Sequence, residues 1–295
     1  MKPAPIVHSS FTLERSYPVP AARVFAAWAD LDTKTRWFMG PPETWTPVER
    51  ELDFRVGGKE ILRGQFAGGG TSTFLARYHV IIPNQRLVFA YDMFTGDRHL
   101  SVSLATVELA ASAGGTRLTF TEKAAFLDGE DGGRSREAGT GAHLDRLTGV
   151  LADPHEIVST RLLDAPRDVV FAAFADPDQL ARWWGPKGSR NTFHAFDLRS
   201  GGDWRFVMHG PDGTEYQMDK HFVEVAPPER IVMDHRQAAH HFRMTMVYIE
   251  RNGQTQLTWR MRFEAPAPTE IQRFITDANE ENFDRLEALL AARRP

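Results

Sequence analysis

One stretch of this sequence occurs twice. Val24-Phe25-Ala26-Ala27-Trp28-Ala29-Asp30, followed by Arg36-Trp37-Phe38, returns as Val170-Phe171-Ala172-Ala173-Phe174-Ala175-Asp176, followed by Arg182-Trp183-Trp184, at one constant spacing. A period this long is domain-sized, so the chain reads as a duplicated domain and not as a solenoid of short repeats. The match continues downstream: Asp53-Phe54-Arg55-Val56-Gly57-Gly58 answers Asp197-Leu198-Arg199-Ser200-Gly201-Gly202, and Asp145-Arg146-Leu147 answers Asp284-Arg285-Leu286. The spacing shortens toward the end, so the second copy is slightly shorter, mostly in one hairpin. A chain of 295 residues suits two domains. They are expected over residues 1–152 and 153–295, meeting at Asp153-Pro154, because a residue before proline disfavours helix.

Local patterns give each half its elements. Phe11 to Tyr17 alternates apolar and polar residues, as a strand does. Pro20 suits a first helical position, and Val24, Trp28 and Leu31 then share a helical face. A short second helix is expected over Lys34 to Phe38, followed by six strands between Trp45 and Phe126. Asp128 to Gly141, rich in glycine and charge, reads as a loop in its first part, and Leu144, Leu147 and Leu151 form a helical stripe. The second half repeats this order. Asp176 followed by Pro177 fits an N-cap with proline at N1, and Thr269 with Gln272 has capping-box spacing before a long last helix. Consecutive strands joined by short turns imply antiparallel pairing. The predicted fold is α+β: two tandem domains, each a curved antiparallel sheet around a long C-terminal helix.

Composition removes several function classes. Hydrophobic residues make up 42% and charged residues 25%, as in ordinary globular chains. The absence of cysteine excludes disulfides, thiolate zinc ligation and thiol nucleophiles. A formal net charge of −4 does not favour a nucleic-acid partner. Residues 1–10 carry no apolar signal-peptide core, and no window reaches membrane-spanning length, so a cytoplasmic protein is expected.

The element order and its motifs resemble the SRPBCC, or START-like helix-grip, superfamily. Within it the chain is most similar to the family of the activator of heat-shock protein 90 ATPase homologue, C-terminal domain. The residues that carry the likeness are Pro20 to Trp28, Arg36-Trp37-Phe38 and Asp53 to Gly58 in the first half. In the second half they are Ala165-Pro166 to Phe171, Arg182-Trp183-Trp184-Gly185-Pro186, Asp197 to Gly202 and Pro227-Pro228-Glu229-Arg230. The resemblance implies a cavity between the concave sheet face and the long helix. It also implies a range of functions, since the superfamily includes lipid and hormone carriers, polyketide aromatase/cyclases, an antibiotic-resistance protein and co-chaperones. This chain departs from the eukaryotic activator in having a second copy where that protein has a different N-terminal domain.

Strand alternation nominates the inward residues. In the second half these are Phe206, Met208, Met233, His235, Met246, Trp259 and Met261, a set rich in methionine and aromatic rings, which suits an adaptable apolar pocket. Lys220 shares the alternation of Met218 and Phe222; an inward lysine could form a Schiff base, hold an anion or snorkel outward. His235, His240 and His241 cluster in sequence, with His209 and His221 on neighbouring strands, but adjacent His240 and His241 point to opposite faces. No metal and no cofactor is expected. Arg36 and Arg182 either guard a cavity mouth or end a helix. In the first half Glu122 falls on the apolar face where the second half has Met261, and Tyr78 and Tyr91 are candidate partners. A carboxyl in an apolar wall favours its neutral form, the form a general acid needs, unless a cation such as Arg63 reaches it.

Three functions therefore stay open. The first is binding or sequestration of a hydrophobic, possibly aromatic, small molecule. The second is an aromatase/cyclase- or hydratase-like enzyme, with Glu122 and Tyr91 as its catalytic pair. The third is a protein partner whose ATPase the chain modulates, as in the chaperone activators. Neither nucleic acid nor membrane is an expected partner.

Overall fold

The computed structural model describes residues 4–237 and 241–292. The chain divides into two compact units, Met1–Ala152 and Asp153–Pro295. The first contains β1 (Val7–Tyr17), α1 (Ala21–Ala29), α2 (Leu31–Thr35), β2 (Trp45–Leu52), β3 (Lys59–Phe66), β4 (Thr71–Ile82), β5 (Arg86–Thr95), β6 (Arg98–Ser112), β7 (Gly115–Phe126) and α3 (Gly133–Leu151). The second contains β8 (Glu156–Leu163), α4 (Arg167–Ala175), α5 (Pro177–Trp183), β9 (Arg190–Phe196), β10 (Asp203–His209), β11 (Glu215–Ala226), β12 (Arg230–His235), β13 (Phe242–Arg251), β14 (Gln254–Phe263) and α6 (Thr269–Ala291). Each unit has one seven-stranded antiparallel sheet, ordered β1-β7-β6-β5-β4-β3-β2 and β8-β14-β13-β12-β11-β10-β9. This is the α+β helix-grip arrangement that the residue pattern predicts.

The residues that repeat are the ones that hold this scaffold. Asp30 caps α2 by accepting from the Thr33 N–H at 2.8 Å, and Asp176 caps α5 by accepting from the Asp178 N–H at 2.9 Å. The repeated tryptophan ties each helix pair together: Trp37 Nε1 donates to Ala27 O at 3.0 Å, and Trp183 Nε1 to Ala173 O at 2.8 Å. In the Asp-to-Gly-Gly turns, a Cβ on Gly58 or Gly202 would lie 2.0 Å from the carbonyl oxygen of Asp53 or Asp197, so only glycine closes them. Arg146 on α3 donates to Trp37 O at 3.1 Å, and Arg285 on α6 donates to Gly185 O at 2.7 Å. Each long helix thus satisfies a carbonyl in the segment just after its short helix.

One local reading changes. Pro20 is the N-cap of α1 and not its first helical residue. Arg36 is the C-cap of α2, and Arg182 sits in the last turn of α5, so the helix-end alternative describes them. The helix α3 starts at Gly133, so the loop expected in the first part of the glycine-rich run is confined to its first five residues, 128–132. Ser135, Gly139 and Gly141 are weak helix formers, but tertiary packing decides the matter. A Cβ on Gly133 would lie 2.2 Å from Ser9 Oγ, so glycine lets this end of the helix approach β1. No helix among the described residues is long and apolar enough to cross a membrane.

Candidate functional site

The first domain holds a cavity of about 480 Å³ between the inner face of its sheet and α3. Trp28 on α1, Phe38 after α2, and Trp45, Phe74, Phe89 and Phe120 from the sheet supply aromatic wall. Arg98 at the start of β6 and Asp128 after β7 also line it, joined by an ion pair of 3.4 Å.

One end of the cavity is polar. Tyr91 and Arg136 line it there. Arg136 Nη1 donates to the Tyr91 hydroxyl at 2.7 Å and to Glu122 Oε1 at 3.2 Å, and Nη2 donates to Ser101 Oγ at 2.9 Å. Ser103 Oγ donates to the same Glu122 oxygen at 3.0 Å. Glu122 is fully buried, and its Oε2 has no hydrogen-bond partner among the described residues. The inward placement of Glu122 thus follows the alternation. Its cation is Arg136, whereas Arg63 pairs with Glu49 at the surface at 3.0 Å. Burial raises the Tyr91 hydroxyl above its ordinary pKa, so it stays neutral. The Arg136 guanidinium also lies 5.4 Å from the Tyr91 ring and 5.6 Å from that of Phe126.

His143, four residues short of Leu147 on α3, lines the same cavity and meets the Phe38 ring at a tilt, with centroids 4.7 Å apart. Its Nε2 is 3.0 Å from Met39 O, which can only accept, so Nε2 carries the proton and Nδ1 is an acceptor. Burial, followed by the nearby Arg146 charge, pulls its pKa down to about 4, and the ring is neutral at pH 7.

Tyr78 does not join Glu122. It belongs to a second buried cluster, donating to Glu60 Oε2 at 2.5 Å. Lys34 Nζ donates to the same oxygen at 2.6 Å, and Arg50 Nη1 to Glu60 Oε1 at 2.8 Å. Burial alone would raise the Glu60 pKa, but Lys34 and Arg50 together hold it below the ordinary carboxylate range.

The second domain fills the equivalent space. Phe206, Met233, Met246 and Trp259 are each at most 1% exposed, and Met261 is buried with them. Trp204 stacks on Phe206 at 4.6 Å, Trp184 meets Trp204 at 5.0 Å, and Trp259 meets Phe283 at 4.6 Å. Pockets were expected in both halves; the first half has one, and in the second the expected lining is packed as core. The cause is side-chain volume at matched positions: Leu62 becomes Phe206, Ser103 becomes Phe242, Ala105 becomes Met244 and Ala76 becomes Lys220. Met208 packs against this core only partly buried, and His235 is buried, stacked on Phe242 at 4.6 Å.

The other histidines do not converge on His235. His221 pairs with Asp203 at 2.8 Å, His209 with Glu215 at 3.2 Å and His241 with Glu264 at 2.9 Å. His240 lies outside the described residues. Arg136 and His143 were not legible as site residues because the helical stripe was traced only from Leu144, and Ser101 and Ser103 because small polar residues on β6 carry no apolar signal. Extending the Leu144–Leu147–Leu151 stripe two turns backward would have reached Arg136.

A family model described as activator of Hsp90 ATPase homolog 1-like protein matches residues 18–152 and again residues 164–291. Among curated proteins none matches the chain. Among solved structures, a protein from Rhizobium loti is 44% identical over 50% of this chain and 99% of its own, with a TM-score of 0.46. One from Rhizobium leguminosarum is 38% identical over 50% of this chain and 96% of its own, with a TM-score of 0.48. A protein from Nitrosomonas europaea is 21% identical over 47% and 96%, with a TM-score of 0.44.

Proposed function

The chain belongs to the activator of Hsp90 ATPase homolog 1-like family, and we propose that its first domain binds a hydrophobic, aromatic small molecule. One observation carries this reading: the first domain keeps an aromatic cavity of about 480 Å³ where the second packs side chains into the same place. That volume lies within the range of small-molecule sites, which are mostly apolar with a few placed polar groups. The polar groups here are the Tyr91 hydroxyl and the Arg136 guanidinium. Glu122 answers the Arg136 charge, so the end of the cavity is polar without being strongly cationic. Arg136 Nε–H makes none of the bonds described above and can donate to a ligand oxygen. A neutral aromatic compound bearing a hydroxyl or carbonyl meets both demands.

Glu122 acts in this reading by fixing Arg136, and Tyr91 by contacting the ligand. Phe206, Met208, Met233, His235, Met246, Trp259 and Met261 serve the second domain as core and not as binding wall. A chaperone-directed role, which the family's description names, would require a protein-binding surface and would not depend on the cavity. Native mass spectrometry of protein purified from its own host tests the proposal. One retained small molecule per chain is expected, and it should be lost from Leu62→Phe, which places in the cavity wall the ring that the second domain has at Phe206. A ligand retained equally by Leu62→Phe, or protein repeatedly isolated empty and unable to take up aromatic alcohols, contradicts it.

A further inference from the structure

The cavity of the first domain has two polar points on one helix, and they are of opposite kinds. Arg136 and His143 both line it from α3. Arg136 can only donate hydrogen bonds, and the Tyr91 hydroxyl lies beside it at 2.7 Å. His143 spends its Nε2 proton on Met39 O, and its Nδ1 has no hydrogen-bond partner among the described residues. That nitrogen can only accept. The two residues stand two turns apart on the same face, and α3 rises about 10 Å between them. Gly139 and Thr140 lie between them and line the cavity as well. A Cβ on Gly139 would meet nothing within 4 Å, so a bound molecule can lie along the helix there.

The second domain has neither point. By the match of Asp145-Arg146-Leu147 with Asp284-Arg285-Leu286, Ile275 stands where the first domain has Arg136, and Asn282 where it has His143. Ile275 packs against the core. Asn282 Oδ1 accepts from the Gly185 N–H at 2.6 Å, and its Nδ2 donates to Ala278 O at 2.8 Å, so its amide is used within the fold. The unspent acceptor accompanies the hollow domain. The cavity is also reachable, since Arg98, Glu130, Ser135 and Gly139 line it and are exposed.

A ligand that serves both points carries an acceptor at one end and a donor at the other. Glu122 already answers the Arg136 charge, so the acceptor is a neutral oxygen. One aromatic ring between two oxygens, with a hydrogen bond of about 2.8 Å at each end, covers a length of the order of the helix rise. The aromatic wall of Trp28, Phe74, Phe89 and Phe120 suits the ring and any apolar group attached to it. Resting on the reading that this cavity binds an aromatic molecule, we propose that its ligand is a para-hydroxyaryl ketone. The ketone oxygen accepts from Arg136 and Tyr91, and the phenolic hydroxyl donates to His143 Nδ1. His143 is thereby a specificity-determining residue, which selects a free hydroxyl over a group of similar size that cannot donate.

The test is a calorimetric titration of the full chain at pH 7 with 4-hydroxybenzophenone, 4-fluorobenzophenone, which lacks the donor, and 4-benzylphenol, which lacks the ketone. The hydroxyketone should bind about tenfold tighter than either of the others, because each of them leaves one buried polar group unpaired. His143→Phe should erase the preference over 4-fluorobenzophenone and keep the preference over 4-benzylphenol. His143→Gln should restore the first preference, since an amide can donate to Met39 O and accept from the phenol. Should His143→Phe not fold, the ranking of the three compounds on the wild-type chain decides alone. Equal binding of all three leaves the cavity reading standing and overturns this proposal, as does a preference for the hydroxyl that survives His143→Phe. Binding of none of them contradicts both.

Discussion

The two domains are built from the same repeated residues and differ in what lies between sheet and helix. The first is hollow, with two buried polar clusters centred on Glu60 and Glu122. The second is filled with rings and methionines, and its one inward lysine has no carboxylate partner among the described residues. Positions that repeat, such as Trp37 with Trp183 or Gly58 with Gly202, close turns and tie helices. Positions that do not repeat decide whether there is a cavity. In a duplicated domain the shared motif therefore reports the scaffold, and its breaks report the chemistry.

The largest way to break this contrast is Glu60→Ala. Lys34 and Arg50 would then be two buried cations without their carboxylate, and losing one partner of a buried pair costs about 3–5 kcal/mol. Urea unfolding followed by domain-specific peptide exchange should show the first domain failing early while the second is unmoved. A uniform loss across both would mean that the domains do not unfold separately.

Solution pH should separate the domains more gently. Burial pulls the Lys220 pKa in the folded chain down to about 7, from an ordinary value of 10.5. Between those values the unfolded chain binds more protons, so the second domain gains stability as pH rises across that window. The gain from pH 7 to 9 is about 2 kcal/mol, and Lys220→Met should flatten it. Lys34 is also lowered by burial, but Glu60 partly offsets this and it falls only to about 8, so the first domain gains less. On the acid side the order reverses. His143, with its pKa down from 6.5 to about 4, costs the first domain stability as pH falls through that interval. Hydrogen exchange at pH 5, 7 and 9 would show this crossover or its absence.

The order of elements was legible because alternation, proline and glycine mark strands and turns locally, and the repeat let each half check the other. Glu122 was legible as inward for the same reason. The location of the cavity was not. Period-two patterning says which face Met233 or Phe89 occupies, but not whether the facing side chains add up to the space available. The methionines that suggested an adaptable pocket are the residues that fill it, while the cavity depends on small residues such as Ala105 and Ser103. The hydrogen-bond partner of Tyr91 was hidden as well, since the helical stripe was traced only from Leu144 and Arg136 lies two turns before it.

The most direct measurement is a titration with an environment-sensitive apolar dye against the wild-type chain, Leu62→Phe and Met233→Ala. One dye per wild-type chain is predicted, lost in Leu62→Phe and kept in Met233→Ala, with Leu62→Phe costing less than about 1.5 kcal/mol because the added ring enters existing space. Binding that survives Leu62→Phe and disappears in Met233→Ala would place the site in the second domain and contradict the account.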